Sequence, residues 1–148
     1  MPGGNGAGDE MTPKIVLVCG GRNYTNRDRA FDELDRLFPF DGKLTIITGS
    51  ANGADQLAWH WFVQRMGDVP MNFQAFPADW KRHGKAAGPI RNQQMIDEGK
   101  PDLVVAFPGG KGTADMVRRA KAAGIPVHEV PPHGSSLDIS KWGKGKSP

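Results

Sequence analysis

The chain has 148 residues, 38% of them hydrophobic and 24% charged, with a formal net charge of +3 and a pI near 9.2. That is enough for one domain with a real core, and no run is apolar for the roughly 20 residues a bilayer crossing needs. The mild positive charge permits anionic partners without demanding them.

Residues 1–13 are Gly-rich and polar, lack a basic-then-apolar signal layout, and are expected to form a disordered tail on a cytoplasmic protein. The run KIVLVCG at residues 14–20 predicts a first strand. Cys19, the lone cysteine, excludes an intrachain disulfide and reads as a buried, inert thiol. Gly20-Gly21-Arg22 follows as a loop. Arg22 is either an ordinary surface arginine or a bidentate grip on a phosphate or carboxylate. Asn26 is placed to cap a helix running to about residue 38, with Ala30, Phe31, Leu34, Leu37 and Phe38 on one stripe and Pro39 as its stop.

LTIIT at residues 44–48 predicts the second strand. The loop Gly49-Ser50-Ala51-Asn52-Gly53 leads into a helix over 54–66. Its stripe is Leu57, Ala58, Trp61 and Phe62, with the stem of Arg65 laid along it, and Gly67 ends it. Ser50 or Asn52 suits the cap, and Asp55 suits the first turn. The functional alternative is that Gly49 and Ser50 approach a ligand while Asp55 holds a ribose hydroxyl or a water.

A third strand is expected over 71–76, then an irregular stretch over 77–88 with a helical turn near Trp80. Trp80 either stacks on a base or folds the loop onto the core, and His83 reads as a solvated histidine. Pro89 suits the first turn of a helix reaching about Glu98, with Arg91 and Asn92 near its start. A cation there opposes the helix dipole, so Arg91 implies a nearby anion or a carboxylate such as Asp55 or Asp115. The expectation is that it projects over the following glycine loop, and that its removal leaves the ligand-free protein as stable as before.

The fourth strand is expected over 103–107. Pro108-Gly109-Gly110-Lys111-Gly112-Thr113 follows, and Thr113 opens a helix over 113–123 with Met116, Val117 and Ala120 inward and Gly124 at its end. Strand, glycines and helix start read as a phosphate or carboxylate cradle, or as a tight structural turn. Asp115, with Arg118 and Arg119 at i+3 and i+4, is either a helix-surface ion pair or a carboxylate facing that cradle. A fifth strand over 126–130 precedes a flexible basic tail at 131–148 carrying Lys141, Lys144, Lys146 and Trp142. His60, His83, His128 and His133 are scattered, so no metal site and no cofactor are expected. Neither a P-loop nor a nucleophile-elbow motif occurs.

Strands alternating with helices imply an α/β fold with a five-stranded parallel sheet over residues 14–130. In such a sheet ligands bind beyond the strands' carboxyl ends, where the strand order reverses. With order 3-2-1-4-5, the loops after the first and fourth strands meet there.

Pro108-Gly109-Gly110-Lys111-Gly112-Thr113 and Arg91-Asn92-Gln93-Gln94-Met95 together resemble the paired motifs of the SLOG superfamily. That superfamily includes the lonely-guy cytokinin-activating phosphoribohydrolases and the DprA proteins. Gly20-Gly21-Arg22, Gly49 to Asp55, Phe76 to Trp80 and Ala87 to Asn92 are most similar to its YspA-like, cpYpsA-related branch. The resemblance implies a Rossmann-like three-layer fold binding a nucleotide or nucleotide-derived ligand, with a sensor or signalling role. It also departs from the enzymes: Met116 stands where they carry a catalytic glutamate, and a methionine cannot transfer a proton. The alternative is a hydrolase of an N-glycosidic or related bond that uses Arg91 with Asp55, Asp79 or Asp115. A second alternative is DprA-like binding of single-stranded DNA through Arg118, Arg119, Lys121 and the basic tail. The expected partner is a small nucleotide-like molecule, without a membrane, and a homo-oligomer is compatible with the sequence.

Overall fold

The computed structural model describes residues 14–37, 43–49, 52–66 and 71–132. The strands are β1 (Ile15–Cys19), β2 (Leu44–Thr48), β3 (Met71–Ala75), β4 (Leu103–Ala106) and β5 (Val127–Glu129). The helices are α1 (Arg27–Asp35), α2 (Ala54–Arg65), a short α3 (Trp80–His83), α4 (Ala87–Gly99) and α5 (Lys111–Ala122). All strand pairs are parallel and the order is β3-β2-β1-β4-β5. The order therefore reverses between β1 and β4, whose carboxyl ends pair as Cys19 with Ala106.

Side chains alternate across each strand, so the sheet has two cores. On one face Val16, Val18, Leu44, Ile46 and Val105 pack against Ala30 and Leu34 of α1 and Ala58 and Trp61 of α2. On the other, Leu17, Cys19, Ile47, Val104 and Ala106 pack against Met95 and Ile96 of α4 and Met116 and Ala120 of α5. This is the three-layer α/β fold expected. Among the described residues no helix is long and apolar enough to cross a membrane.

Most boundaries fall within two residues of expectation, and the departures have local causes. Asn26 caps α1, its Oδ1 accepting from the Arg29 N–H at 3.1 Å, but the helix proper ends at Asp35. Trp61 and Arg65 both donate to Asp35, at 2.8 and 3.1 Å, and fasten α2 to the end of α1. The Arg65 guanidinium also lies over the Phe31 ring. α4 starts before Pro89 because a 3-10 turn over Gly84–Ala86 feeds directly into it. α5 starts at Lys111 with Gly110 as its N-cap, so Thr113 is its third residue rather than its first. Phe38, Pro39, Ser50, Gly67, both tails, His133 and Trp142 lie outside the described residues.

Glu33 is buried on α1 and ties that helix to the far edge of the sheet. Its Oε1 lies 2.9 Å from His128 Nε2 on β5, with Arg29 at 3.3 Å and Arg36 at 3.8 Å. Burial alone would raise the Glu33 pKa, but the His128 hydrogen bond and the Arg36, His128 and Arg29 charges hold it below the usual value. A depressed carboxylate stabilises the fold fully above its unfolded pKa and loses that contribution as pH falls through its folded pKa. Glu33→Gln should therefore lower stability at neutral pH by about 1–3 kcal/mol. Urea titrations at stepped pH should show the gap to the parent closing as the solution is acidified through the carboxylate range.

Candidate functional site

At the point of strand reversal three loops meet with almost no side chains between them. The Gly21 N–H donates to the Pro108 carbonyl at 2.9 Å, and the Ala54 N–H donates to the Gly21 carbonyl at 3.1 Å. The β1 loop is thus clamped between the β4 loop and the start of α2. A Cβ added at Gly20 would come within 2.6 Å of the Ala54 Cβ, and one at Gly21 within 2.9 Å of the Pro108 carbonyl oxygen. Gly109 is packed just as tightly against the Thr113 side chain and the Gly21 nitrogen. Gly53 has φ +72°, and its added Cβ would strike the backbone of Gly21 and Arg22. These glycines are there for loop packing. Gly110 and Gly112 are different, because an added Cβ at either meets nothing within 4 Å. They face open space.

That space is a cavity of about 600 Å³. Of the residues expected at a site, Gly20, Gly21, Arg22, Gly49, Asp55, Trp80, Arg91, Asn92, Gly110, Lys111, Gly112, Thr113 and Asp115 line it. Pro108, Gly109 and Asp79 do not. Asp79 is instead the N-cap of α3, accepting from the Arg82 N–H at 3.1 Å. The cavity floor includes Cys19, Met95 and Met116, all buried among the core of that face. Lys85 and Arg118 also reach it; the sequence did not mark Lys85, and it marked Arg118 only for a DNA-binding patch and as a partner of Asp115. Lys85 had a signal, since it sits three residues before the Gly88-Pro89-Ile90-Arg91 segment.

Five cationic residues line the cavity, Arg22, Lys85, Arg91, Lys111 and Arg118, against Asp55 and Asp115. Asp115 is already engaged. Arg118 donates to its Oδ1 at 2.6 Å, and Arg119 and Asn92 donate to its Oδ2 at 2.8 and 3.0 Å. Burial pushes the Asp115 pKa up, but these three hydrogen bonds outweigh it and hold the group below the usual carboxylate value. Asp55 is buried and accepts from the Gly49 N–H at 3.1 Å, across its own loop. Cys19 is pushed up to about 12 by burial first and by the Asp55 charge second. It is a neutral thiol, as expected.

α5 supplies the remaining positive character. Its first intrahelical bond runs from the Ala114 N–H to the Gly110 carbonyl, so the amides of Lys111, Gly112 and Thr113 have no helical acceptor and lie at the positive end of the dipole.

Arg91 does not project over the glycine loop. Its Nη1 donates to the Gly49 carbonyl and, at 3.4 Å, to the Phe76 carbonyl, which brackets the ends of β2 and β3. Its Nε donates to Asn92 Oδ1 at 3.0 Å. The residue that does reach the loop is Asn92, which is buried and donates through Nδ2 to the Gly112 carbonyl at 3.2 Å. The dipole argument singled out this arginine but missed the carbonyls that neighbouring strand ends offer it. Nη2 of Arg91 has no hydrogen-bond partner among the described residues and is left for the cavity. Burial lowers the Arg91 pKa most, Asp55 opposes that, and the Arg22 charge adds to it.

The model of the YspA, cpYpsA-related SLOG family matches residues 14–83. The chain belongs to this family. The Gene 61 protein of Mycobacterium phage D29 is 39% identical over 117 residues, which is 76% of this chain and 92% of that relative. Among solved structures, a UDP-N-acetylglucosamine 2-epimerase is similar over 79% of this SLOG chain and 32% of its own, at 17% identity and a TM-score of 0.48. UDP-GlcNAc 2-epimerase from Neisseria meningitidis, bound to UDP-GlcNAc, gives the same coverage at 15% identity and a TM-score of 0.44. The chain thus spans about a third of those two enzymes. The SLOG match lies over β1 to α3 and stops short of α5 and its glycine loop.

Two substitutions separate packing glycines from cavity glycines. Gly53→Ala should destabilise the fold by more than about 2 kcal/mol, since it combines a disfavoured φ with a backbone clash. Gly112→Ala, in the first turn of a helix with open space ahead, should leave stability unchanged or raise it by up to about 1 kcal/mol. Thermal denaturation reads both. Arg91→Ala should cost about 1–3 kcal/mol by leaving the Gly49 and Phe76 carbonyls without their donor, and chemical denaturation of the ligand-free variant checks it.

Proposed function

We propose that this chain binds a nucleotide or nucleotide-derived anion in the cavity at the strand reversal, as a sensor or signalling module. The phosphate would sit on the amides of Lys111, Gly112 and Thr113, with Arg22, Lys111 and the outer edge of Arg91 as its counter-charges. One observation carries the reading: the two glycines with nothing in front of them stand where the free amides of α5 open into a positively lined cavity. An oxyanion is what such amides and guanidiniums bind well. A volume near 600 Å³ suits a nucleotide-sized molecule. Family membership supports a nucleotide-related ligand as well.

The floor supports binding over hydrolysis. Met116, Met95 and Cys19 present apolar atoms and a thiol pushed up to about 12 where an acid or base would be needed. Of the three carboxylates a hydrolase would draw on, Asp79 caps a helix, Asp55 accepts from its own loop, and Asp115 is held ionised by two arginines and Asn92. The basic patch that a DNA-binding reading would use is largely neutralised too. Arg118 and Arg119 pair with Asp115, and Lys121 pairs with Glu129 at 3.1 Å.

Titration calorimetry with mononucleotides, cyclic nucleotides, NAD and ADP-ribose should find at least one ligand, and silence across that panel from folded protein would exclude the reading. Gly112→Val should weaken whatever binds by at least about tenfold, because the branched side chain occupies the space in front of the amides, while the thermal midpoint stays close to the parent's.

A further inference from the structure

The two edges of the sheet are built differently. β5 is three residues long, and its His128 and Glu129 side chains are tied to Glu33 and Lys121. Short length and charge are what keep a sheet edge from pairing. β3, at the other edge, reads Met71-Asn72-Phe73-Gln74-Ala75, five residues without a charge or a proline. Among the described residues only β2 pairs with it. The Phe76 N–H donates to the Thr48 carbonyl at 2.9 Å, and peptide direction alternates along a strand. Asn72 and Gln74 therefore turn their peptide groups to β2, while Met71, Phe73 and Ala75 turn theirs outward. The helix above this edge is apolar on the same side. Trp59 and Val63 of α2 and its C-cap Met66, at i, i+4 and i+7, are 45%, 47% and 50% exposed. Ala58, Trp61 and Phe62 of the same helix face the sheet. α2 thus carries two apolar stripes where a surface helix needs one. The Trp59 ring continues the outer stripe onto the strand, edge-on to Phe73 at 5.0 Å. Because α2 returns over the sheet between two parallel strands, its start lies above the end of β3. There Asn52, Gln56, Trp59, Phe73 and Ala75 line a hollow of about 370 Å³.

We propose that this face joins two copies of the chain, with β3 pairing antiparallel to β3 of the second copy about a two-fold axis through Phe73. In that register Phe73 meets its own counterpart and Met71 meets Ala75 of the other copy. Each pair exchanges two hydrogen bonds through the outward peptide groups. Met71, Phe73 and Ala75 of both copies then share the α2 face, apolar against apolar. On the opposite face Asn72 lies beside Gln74 of the second copy, amide against amide. The two-fold also sets the Val63 and Met66 end of one α2 beside the start of the other, where the hollow lies. One end of the edge protrudes and the other recedes, so the surface fits itself when turned end for end. An uncharged strand holds nothing that would select a charged partner instead. Because β3 meets β3, and not the short, charged β5, pairing closes at two copies and grows no filament. The contact is smaller than the roughly 800 Å² per partner of a standard interface, so the dimer is weak and forms with rising concentration. Its formation does not depend on what the cavity binds.

Sedimentation velocity of the full chain reads the pairing. The parent should move from monomer toward dimer between roughly 1 and 100 µM. Ala75→Pro removes an N–H that faces outward and none that bonds to β2, so the monomer keeps its ladder while the seam loses a donor. This variant should stay monomeric over the whole range. Asn72→Lys combined with Gln74→Lys sets lysine against lysine across the seam and should also abolish the dimer. Asn72→Lys combined with Gln74→Glu sets each lysine against a glutamate and should dimerise at least as well as the parent. Both positions are exposed, so the thermal midpoints of the charge variants should stay near the parent's and show that each is folded. A parent that is monomeric at about 100 µM would overturn the dimer and leave the edge to a strand of another protein. A dimer that survives both Ala75→Pro and the double-lysine variant would place the contact elsewhere and overturn it too. Equal behaviour of the two charge variants would overturn the Phe73-centred register.

Discussion

Everything at the site depends on how closely three backbone segments approach one another. The Gly21 peptide gives its N–H to the β4 loop and its carbonyl to the first residue of α2, with no side chain intervening. Because a sheet fixes its strand ends within about 5 Å of each other, loops leaving adjacent strands must either diverge or be stripped of side chains. This chain does the second at the points of closest approach, with Gly20 and Gly21 after β1, Gly53 before α2 and Gly109 after β4. The stripping sets the origin of α2 and the direction of α5, and so decides which amides open into the cavity.

Around that clamp, polar side chains are used mainly against the protein itself. Arg91 grips two strand-end carbonyls. Asn92 carries the connection onward to α5, accepting from the arginine on one side and donating to Gly112 and Asp115 on the other. Arg91, Asn92 and Asp115 thus form one hydrogen-bonded line linking α4, the strand ends and α5. Such a network is stiff when every member is satisfied, and it orients the groups that remain free. What is left over is positive charge: the α5 amides, Lys111 and the unshared part of two guanidiniums.

The sequence was most legible where one rule acts alone. Alternating apolar strands and glycine-bounded helices were enough to place the five strands, because burial decides those positions; the order 3-2-1-4-5 entered as the assumption of a doubly wound sheet, and the fold has that order. The site was legible as a location, since the unusual residues cluster after strands, but their individual roles were less so. Gly109 and Gly112 look alike in a string of letters, and one is crushed between neighbours while the other faces emptiness. The beginning of α5 was misplaced because Gly112, a weak helix former, sits in its first turn, and the start is set by the β4 loop and not by propensity. Arg91 was read through the dipole of its own helix. Its actual partners belong to strands 15 and 42 residues away, a relation that only the fold creates.

Cys19 has a practical side. It is the chain's single cysteine, it is buried, and its thiol stays protonated far above neutrality. Alkylating reagents attack thiolates, so burial and a raised pKa both disfavour reaction of Cys19 with maleimides in the native protein. A cysteine introduced at an exposed position would take the label first. The same cysteine lies on the floor of the cavity at the strand reversal, so any loosening of that floor would announce itself as a thiol that had begun to react.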